Sequence, residues 1–178
     1  MRLGRRMEGM QVVAEVPSFE SVAARHLDDV HAYLVYFTRD RGAAEDLTAE
    51  TFEKALRQWR RFDPRRGSAR TWLCQIARTT ALDHFRAEER RRRREGTFAG
   101  GEPEHVEDGL FGGLSPELER ALAELSAGER EVIALRVLLD LEPEHAARVL
   151  GISTSNCTTR LSRALKKLEE RMTADVAA

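Results

Sequence analysis

Twelve arginines stand in residues 59–94 against only four acids, and Trp59, Phe62, Trp72 and Phe85 are set among them. Guanidinium groups present a planar fork of donors that matches phosphate oxygens. Aromatic faces accept unstacked bases, so the mixture suits an open nucleic-acid strand. The densest part reads FDPRRGSARTWLCQIARTTALDHFR over residues 62–86, and five further arginines follow at 90–94. Its Asp63-Pro64 and Gly67-Ser68 break regular structure and leave a loop in which arginines can follow a backbone. Trp72 recurs with Leu73, Ile76, Ala77, Ala81 and Phe85 at helical spacing, which assigns the indole to a core and leaves binding to the loop over residues 60–71 and the arginines. Arg70, Arg78 and Arg86, eight apart, fall roughly on one side of that helix.

A second constellation lies in residues 144–161. Ala147 is small enough for two helices to cross, Gly151 can take the positive φ of a tight turn, and Ile152, Cys157 and Leu161 repeat at anchoring positions. Asn156, Thr159, Arg160 and Arg163 are left on the outward face, where amide, hydroxyl and guanidinium groups can meet base edges and phosphates in a major groove. An ordinary αα-hairpin shares the glycine and the periodicity, but not the basic outer face. The pattern is a helix-turn-helix.

These sites divide the chain. The formal net charge of -1 hides segregation. Residues 95–119 carry seven acids and no Lys or Arg, while residues 148–171 carry six basic residues against two acids. Both basic blocks have helical periodicity, and the acidic block is Gly-rich and aperiodic, as expected of two basic modules on a flexible acidic tether. Across the 178 residues, 42% are hydrophobic, 6% aromatic and 33% charged, with Ala, Arg, Glu and Leu prominent. That composition predicts an all-α chain of two small helical domains.

Enzymatic classes find little support. There is no HExxH, P-loop or paired Cys/His spacing. Cys74 and Cys157 stand alone within apolar patterns and read as inert core thiols. No metal or other cofactor is expected. No apolar run approaches a membrane span, and the basic start, MRLGRRMEGM, lacks the hydrophobic segment of a signal peptide. A cytoplasmic protein is expected.

Ser18 can cap a first helix carrying Phe19, Val22, Ala23, Leu27, Val30, Leu34 and Phe37 inward and ending near Arg41-Gly42. A second helix begins about Ala43, with Leu47, Thr51, Phe52, Ala55 and Trp59 on one face. Ser68 can cap the arginine-rich helix. Order returns where Ser115 precedes Pro116, and Ser126 with Glu129 forms a capping-box pattern. Pro143 opens a short helix that Gly151 ends, and Ser153 can cap a longer one. The expected organisation is a disordered leader over 1–15, a first module over 16–94, an acidic linker over 95–114, a helix-turn-helix module over 115–172 and a tail over 173–178.

Taken in order, AAEDLTAETFEKAL, FDPRRGSARTWLCQIARTTALDHFR and LGISTSNCTTRLSRALKKLEERM resemble a bacterial RNA polymerase sigma factor of the extracytoplasmic-function (ECF) class over about residues 18–172. The resemblance implies a transcription initiation factor, not an enzyme, with region two, a linker and region four in that order. It implies that Glu45, Asp46, Leu47, Glu50 and Phe52 dock core polymerase. Arg60, Arg61, Arg65, Arg66, Ser68, Arg70, Arg78, Thr79 and Arg86 would read the single-stranded −10 element. Asn156, Thr158, Thr159, Arg160, Arg163 and Lys166 would read the −35 duplex. The acidic linker would thread the basic channel meant for RNA, and an anti-sigma partner could cover both modules.

The sequence departs from the class pattern at Ala49, usually Gln, at Thr79, usually Asn, at Cys157, usually Val, and at Thr158, often basic. Thr79 lies near the expected base reader and so bears on −10 preference. The terminal DVAA resembles the small apolar ends recognised by energy-dependent proteases; a chance alanine-rich tail is the competing reading. A free-standing helix-turn-helix regulator of duplex operators is the alternative function, and core polymerase binding discriminates the two.

Overall fold

The computed structural model describes residues 17–94 and 114–176, and every regular element among them is helical. Three helices make the N-terminal module: α1 (Phe19–Thr38), α2 (Arg41–Gln58) and α3 (Ala69–Arg94). A single 3₁₀ turn, Trp59–Arg61, leaves α2. Four helices make the C-terminal module: α4 (Pro116–Ala123), α5 (Ala127–Ile133), α6 (Pro143–Leu150) and α7 (Thr154–Val176). The expected leader and nearly all of the acidic linker lie outside the described residues.

The caps are where sequence chemistry puts them. The Ser18 hydroxyl accepts from the Ser21 amide at 3.2 Å, and Ser68 accepts from Thr71 at 3.2 Å. Ser126 and Glu129 cap each other reciprocally, each side chain bonding the other's backbone amide. The first junction differs from expectation. Helix α1 stops at Thr38, Arg39 takes a left-handed φ of 61°, and Asp40 caps α2 by accepting from the Ala43 amide at 2.9 Å. A carboxylate that satisfies an orphan amide outweighed the punctuation offered by Gly42, which falls inside the first turn of α2.

Val30, Tyr33, Leu34, Ala44, Ala55, Leu73, Cys74 and Ala77 are wholly buried in the N-terminal module. Leu27, expected inward, is 48% exposed, and Tyr33 takes a core position instead. In the C-terminal module Leu135, Ala146, Ala147, Cys157 and Ala164 fill the centre. Helix α5 widens into one π turn over Ala134–Leu138, closed by the Leu139 amide donating to Ala134 at 2.9 Å. Helix α7 continues to Val176, past the expected tail boundary at 173.

The two modules touch. Helix α1 packs on α5 and α3 packs on α6, so the helix-turn-helix lies against the arginine-rich helix.

Candidate nucleic-acid and polymerase interface

The loop that carries Arg65 and Arg66 is built from below by aromatic rings. Trp59 and Phe62 stack with centroids 4.9 Å apart and an interplanar angle of 13°. Trp72 meets Trp59 at 5.8 Å and Phe62 at 5.4 Å, and Phe19 packs edge-on against Trp59 at 5.5 Å. Such ring pairs add about 0.5–1.5 kcal/mol beyond burial, which fixes the root of the loop. Its crown is fixed by Asp63, whose carboxylate accepts from the Arg65 amide at 3.0 Å and whose carbonyl accepts from the Arg66 amide at 3.0 Å. The loop borders a cleft of about 670 Å³ lined by Arg61, Arg65, Arg66, Ser68, Trp72 and Gln75, with Arg148 entering from α6. Trp72 is half-buried, so it both braces the loop and shows an edge to this cleft.

The arginines fall into two groups. Arg60, Arg61, Arg65 and Arg66 are exposed and make no ion pair among the described residues. The three spaced eight apart along the helix are held by carboxylates: Arg70 by Asp29 at 2.9 Å, Arg78 by Glu131 at 2.7 Å and Arg86 by Asp83 at 3.0 Å. Thr79 is exposed and donates its hydroxyl to the Gln75 carbonyl at 2.9 Å. Lys54, which the sequence reading did not single out, donates to the Thr80 hydroxyl at 3.2 Å and pairs with Glu50 at 2.8 Å beside the same face.

In the C-terminal module Gly151 takes φ 68° and ψ 33°, while its amide and that of Ile152 return to the carbonyls of Arg148 and Ala147. This is a Schellman end, and it turns the chain sharply into α7. Ser153 accepts from the Asn156 amide at 3.2 Å, capping α7. Cys157 and Ala164 are wholly buried and Leu168 is 9% exposed, which turns the opposite face out. Asn156, Thr158, Thr159, Arg163 and Lys166 are exposed on it, and Arg160 is half-buried.

On α2 the expected docking residues separate by direction. Glu45, Asp46 and Glu50 are exposed. Leu47 is 2% exposed and belongs to the core, and Phe52 is half-buried with its ring 6.5 Å from Phe19. The carboxylates form the surface, and Leu47 and Phe52 hold the helix that displays them.

Both thiols are free and buried. Burial pushes the Cys74 thiol up to about 12, and burial also raises Cys157 despite the nearby Arg136 and Arg160. Both suit packing, not nucleophilic chemistry. No group of three metal-ligating side chains occurs among the described residues, and no described helix is long and apolar enough to cross a membrane.

An arginine-bearing loop on an aromatic root, beside a helix-turn-helix whose outer face is polar and basic, has the chemistry of a nucleic-acid-binding protein. Comparison with known proteins agrees. The Sigma-70 region 2 family model matches residues 22–91, and the Sigma-70 region 4 model matches residues 115–168. The chain is 39% identical over 141 residues to the ECF RNA polymerase sigma factor SigC of Mycobacterium tuberculosis, covering 76% of this chain and 73% of that protein. It is 30% identical over 167 residues to SigX of Bacillus subtilis, covering 87% and 84%. Among solved structures it resembles the sigma factor RpoE from Bartonella quintana, in complex with the anti-sigma factor NepR, with a TM-score of 0.74, 26% identity and coverage of 88% and 98%. It also resembles CnrH in complex with the cytosolic domain of CnrY, with a TM-score of 0.63, 25% identity and 88% of each chain covered. The chain belongs to the ECF sigma factors of RNA polymerase. It is a transcription initiation factor that works with core RNA polymerase on promoter DNA, and the free-standing regulator is not favoured.

Proposed function

We propose a division of labour for this sigma factor in which the exposed carboxylates of α2 dock core polymerase, α7 reads the −35 duplex and the loop over residues 60–71 captures the melted −10 strand. The observation that carries it is the sorting of exposure on α7: Asn156, Thr158, Thr159 and Arg163 face solvent, while Cys157 and Ala164 are buried. The loop supports its own role through four exposed arginines around an aromatic root. In this reading Ser68 shapes the loop, and Thr79, Arg70, Arg78 and Arg86 lie along the strand's path. The protein contributes binding and positioning, with no catalysis of its own. An anti-sigma factor is a natural partner, because the similar sigma factor RpoE was solved in complex with the anti-sigma factor NepR. Recognition of the terminal Ala177-Ala178 by an energy-dependent protease concerns residues outside the described structure, and an unchanged half-life on replacing both by Asp counts against it.

The test is reconstitution with bacterial core polymerase and run-off transcription from the chain's own genomic region. Promoter-specific transcripts, lost in an Asn156→Ala/Arg163→Ala variant that still co-elutes with core, support the assignment. Equal transcription by that variant rejects the α7 assignment.

A further inference from the structure

The cleft where the modules meet gathers four guanidiniums around one carboxylate. Arg61, Arg65 and Arg66 of the loop and Arg148 of α6 line it, and Asp63 is the single acid on its walls among the described residues. None of the four arginines pairs with a carboxylate among the described residues, although Arg70, Arg78 and Arg86 nearby all do. The Asp63 carboxylate is itself engaged by the Arg65 amide at 3.0 Å. A concave site lined by one sign of charge concentrates ions of the other sign. Four minus one leaves three positive charges to be met by a ligand.

The walls are held in place. Arg148 Nη1 donates to the Arg66 carbonyl, and Gln75 donates to the Arg148 carbonyl at 3.4 Å. A Cβ on Gly67 would come within 2.8 Å of Arg148 Nη1, so the bare glycine makes room for the guanidinium. Elsewhere along the same junction the Tyr33 hydroxyl of α1 donates to Glu131 of α5 at 2.7 Å. The cleft also holds rings: Phe62 and Trp72 line it, both half-buried, with centroids 5.4 Å apart. Its volume of about 670 Å³ falls in the range of small-molecule sites. A simple anion would use only the guanidiniums, and an apolar ligand only the rings. A flat heterocycle that carries several negative charges uses both.

We propose that this cleft binds a free nucleoside triphosphate, its base against Phe62 and Trp72 and its phosphate chain between the loop arginines and Arg148. Guanidinium forks match phosphate oxygens, and the charge of a triphosphate answers the excess on the walls. A DNA strand carries one phosphate per nucleotide, whereas this ligand concentrates three on one. Arg148 belongs to α6 and the other groups to the N-terminal module, so the ligand touches both modules. Anything that binds both stabilises their contact by mass action, which would make that contact respond to nucleotide concentration. The proposal rests on the cleft and its arginines, and it stands whether or not the loop captures the −10 strand.

The full-length protein is titrated with ATP, GTP and GMP by calorimetry and by tryptophan fluorescence, since Trp59 and Trp72 are the only tryptophans of the chain. ATP or GTP should bind one to one and change the fluorescence, and GMP should bind at least about tenfold more weakly. Arg148→Ala should weaken the triphosphate about tenfold, the loss of one charge-assisted bond. Arg65→Ala should do the same while sparing the bond between Arg66 and Arg148, so a weakened junction alone would not account for both. Arg57→Ala, which removes an exposed charge on α2 outside the cleft, should bind as the wild type does. Circular dichroism confirms that each variant keeps its helices. No binding up to about 1 mM overturns the site and leaves the −10 assignment to the run-off assay. Equal affinity for GMP and GTP overturns recognition of the phosphate chain. Full affinity in Arg148→Ala and Arg65→Ala places the nucleotide elsewhere, and an equal loss in Arg57→Ala reduces it to diffuse charge attraction; either result overturns the proposal.

Discussion

The N-terminal module is built on rings and the C-terminal module on small residues. Both tryptophans and both tyrosines lie in α1–α3 and the turn after α2, whereas residues 114–178 contain no Phe, Trp or Tyr at all. The difference follows from what each module must hold in place. A loop has no backbone ladder of its own, so its shape is set by rigid groups beneath it, and Trp59, Phe62 and Trp72 supply these. A helix-turn-helix needs two helices to cross closely. Ala146, Ala147, Cys157 and Ala164, all nearly or wholly buried, permit that approach where a ring would force the helices apart. The rings support an irregular binding surface, and the small residues support a regular one.

The largest effects should come from the cores, and they test whether the two modules are separate units. Leu73 and Leu135 are each wholly buried, one in each module. Leu73→Ala and Leu135→Ala should each cost about 2–5 kcal/mol. Trp59 and Trp72 report only on the N-terminal module, while far-ultraviolet circular dichroism reports on both. In urea, Leu73→Ala should lower the fluorescence midpoint. Leu135→Ala should lower the midpoint of a helical component and leave the fluorescence transition nearly in place. Coincident shifts in both probes would make the chain one cooperative unit and dissolve the contrast.

The next effects distinguish the two surfaces in holoenzyme. Asn156→Ala should cost about 1–3 kcal/mol of discrimination at one −35 position, while Arg163→Ala should weaken binding across sequences and reduce the salt slope by about 1. Arg65→Ala should leave −35 binding intact and reduce promoter opening, read by permanganate reactivity of −10 thymines. If Arg65→Ala also relaxed −35 specificity, the separation of duplex reading from strand capture would fail.

A smaller effect sharpens the account of the regular surface. Gly151 takes φ 68°, and nothing lies within 4 Å of where its Cβ would stand. Gly151→Ala therefore pays only for left-handed backbone, about 1 kcal/mol, with no steric penalty. Thermal unfolding should show that loss in the C-terminal module alone. A much larger loss would mean that this turn supports more than the angle between α6 and α7.

What could be read from sequence was local. Ser18, Ser68, Ser115, Ser126, Ser153 and Gly151 were legible because a cap acts on amides and carbonyls within a few residues, and the structure has each of them in that role. The Arg39–Asp40 junction was not, because a left-handed arginine has no compositional mark and Gly42 offered a stronger false one. Arg70, Arg78 and Arg86 look equivalent at their eight-residue spacing. Asp83 sits one helical turn before Arg86, a spacing the period does encode. Asp29 and Glu131 lie 41 and 53 residues from Arg70 and Arg78, beyond the reach of any helical period. Arg148 reads in sequence only as charge in the helix-turn-helix, and its place at the cleft beside Arg65 and Arg66 depends on how the modules meet. Leu47 was carried to the surface with its acidic neighbours, although the period that put it on one face with Thr51 and Ala55 already pointed inward.

The smallest effect at neutral pH is also the one that tests both modules together. Burial, followed by the nearby Glu131 carboxylate, pushes the Tyr33 phenol well above its ordinary 10.0, and burial with Glu119 raises Tyr36. A phenol whose pKa is raised in the folded state favours the protonated form there. The stability it contributes is fully present below about pH 10, and it is lost as the pH climbs from there through the raised value. Between pH 6 and 9 these groups should therefore change nothing. Above pH 10 the native protein should resist tyrosinate formation, followed by absorbance at 295 nm, until the structure gives way, whereas the chain in urea should ionise both phenols near 10. Tyr33 is bonded across the modules, so its ionisation should coincide with loss of the α1–α5 contact. Reversible ionisation of both tyrosines near pH 10 with the modules still packed would show that Tyr33 is not buried between them, and the junction would then have to rest on Arg78 and Arg148 alone.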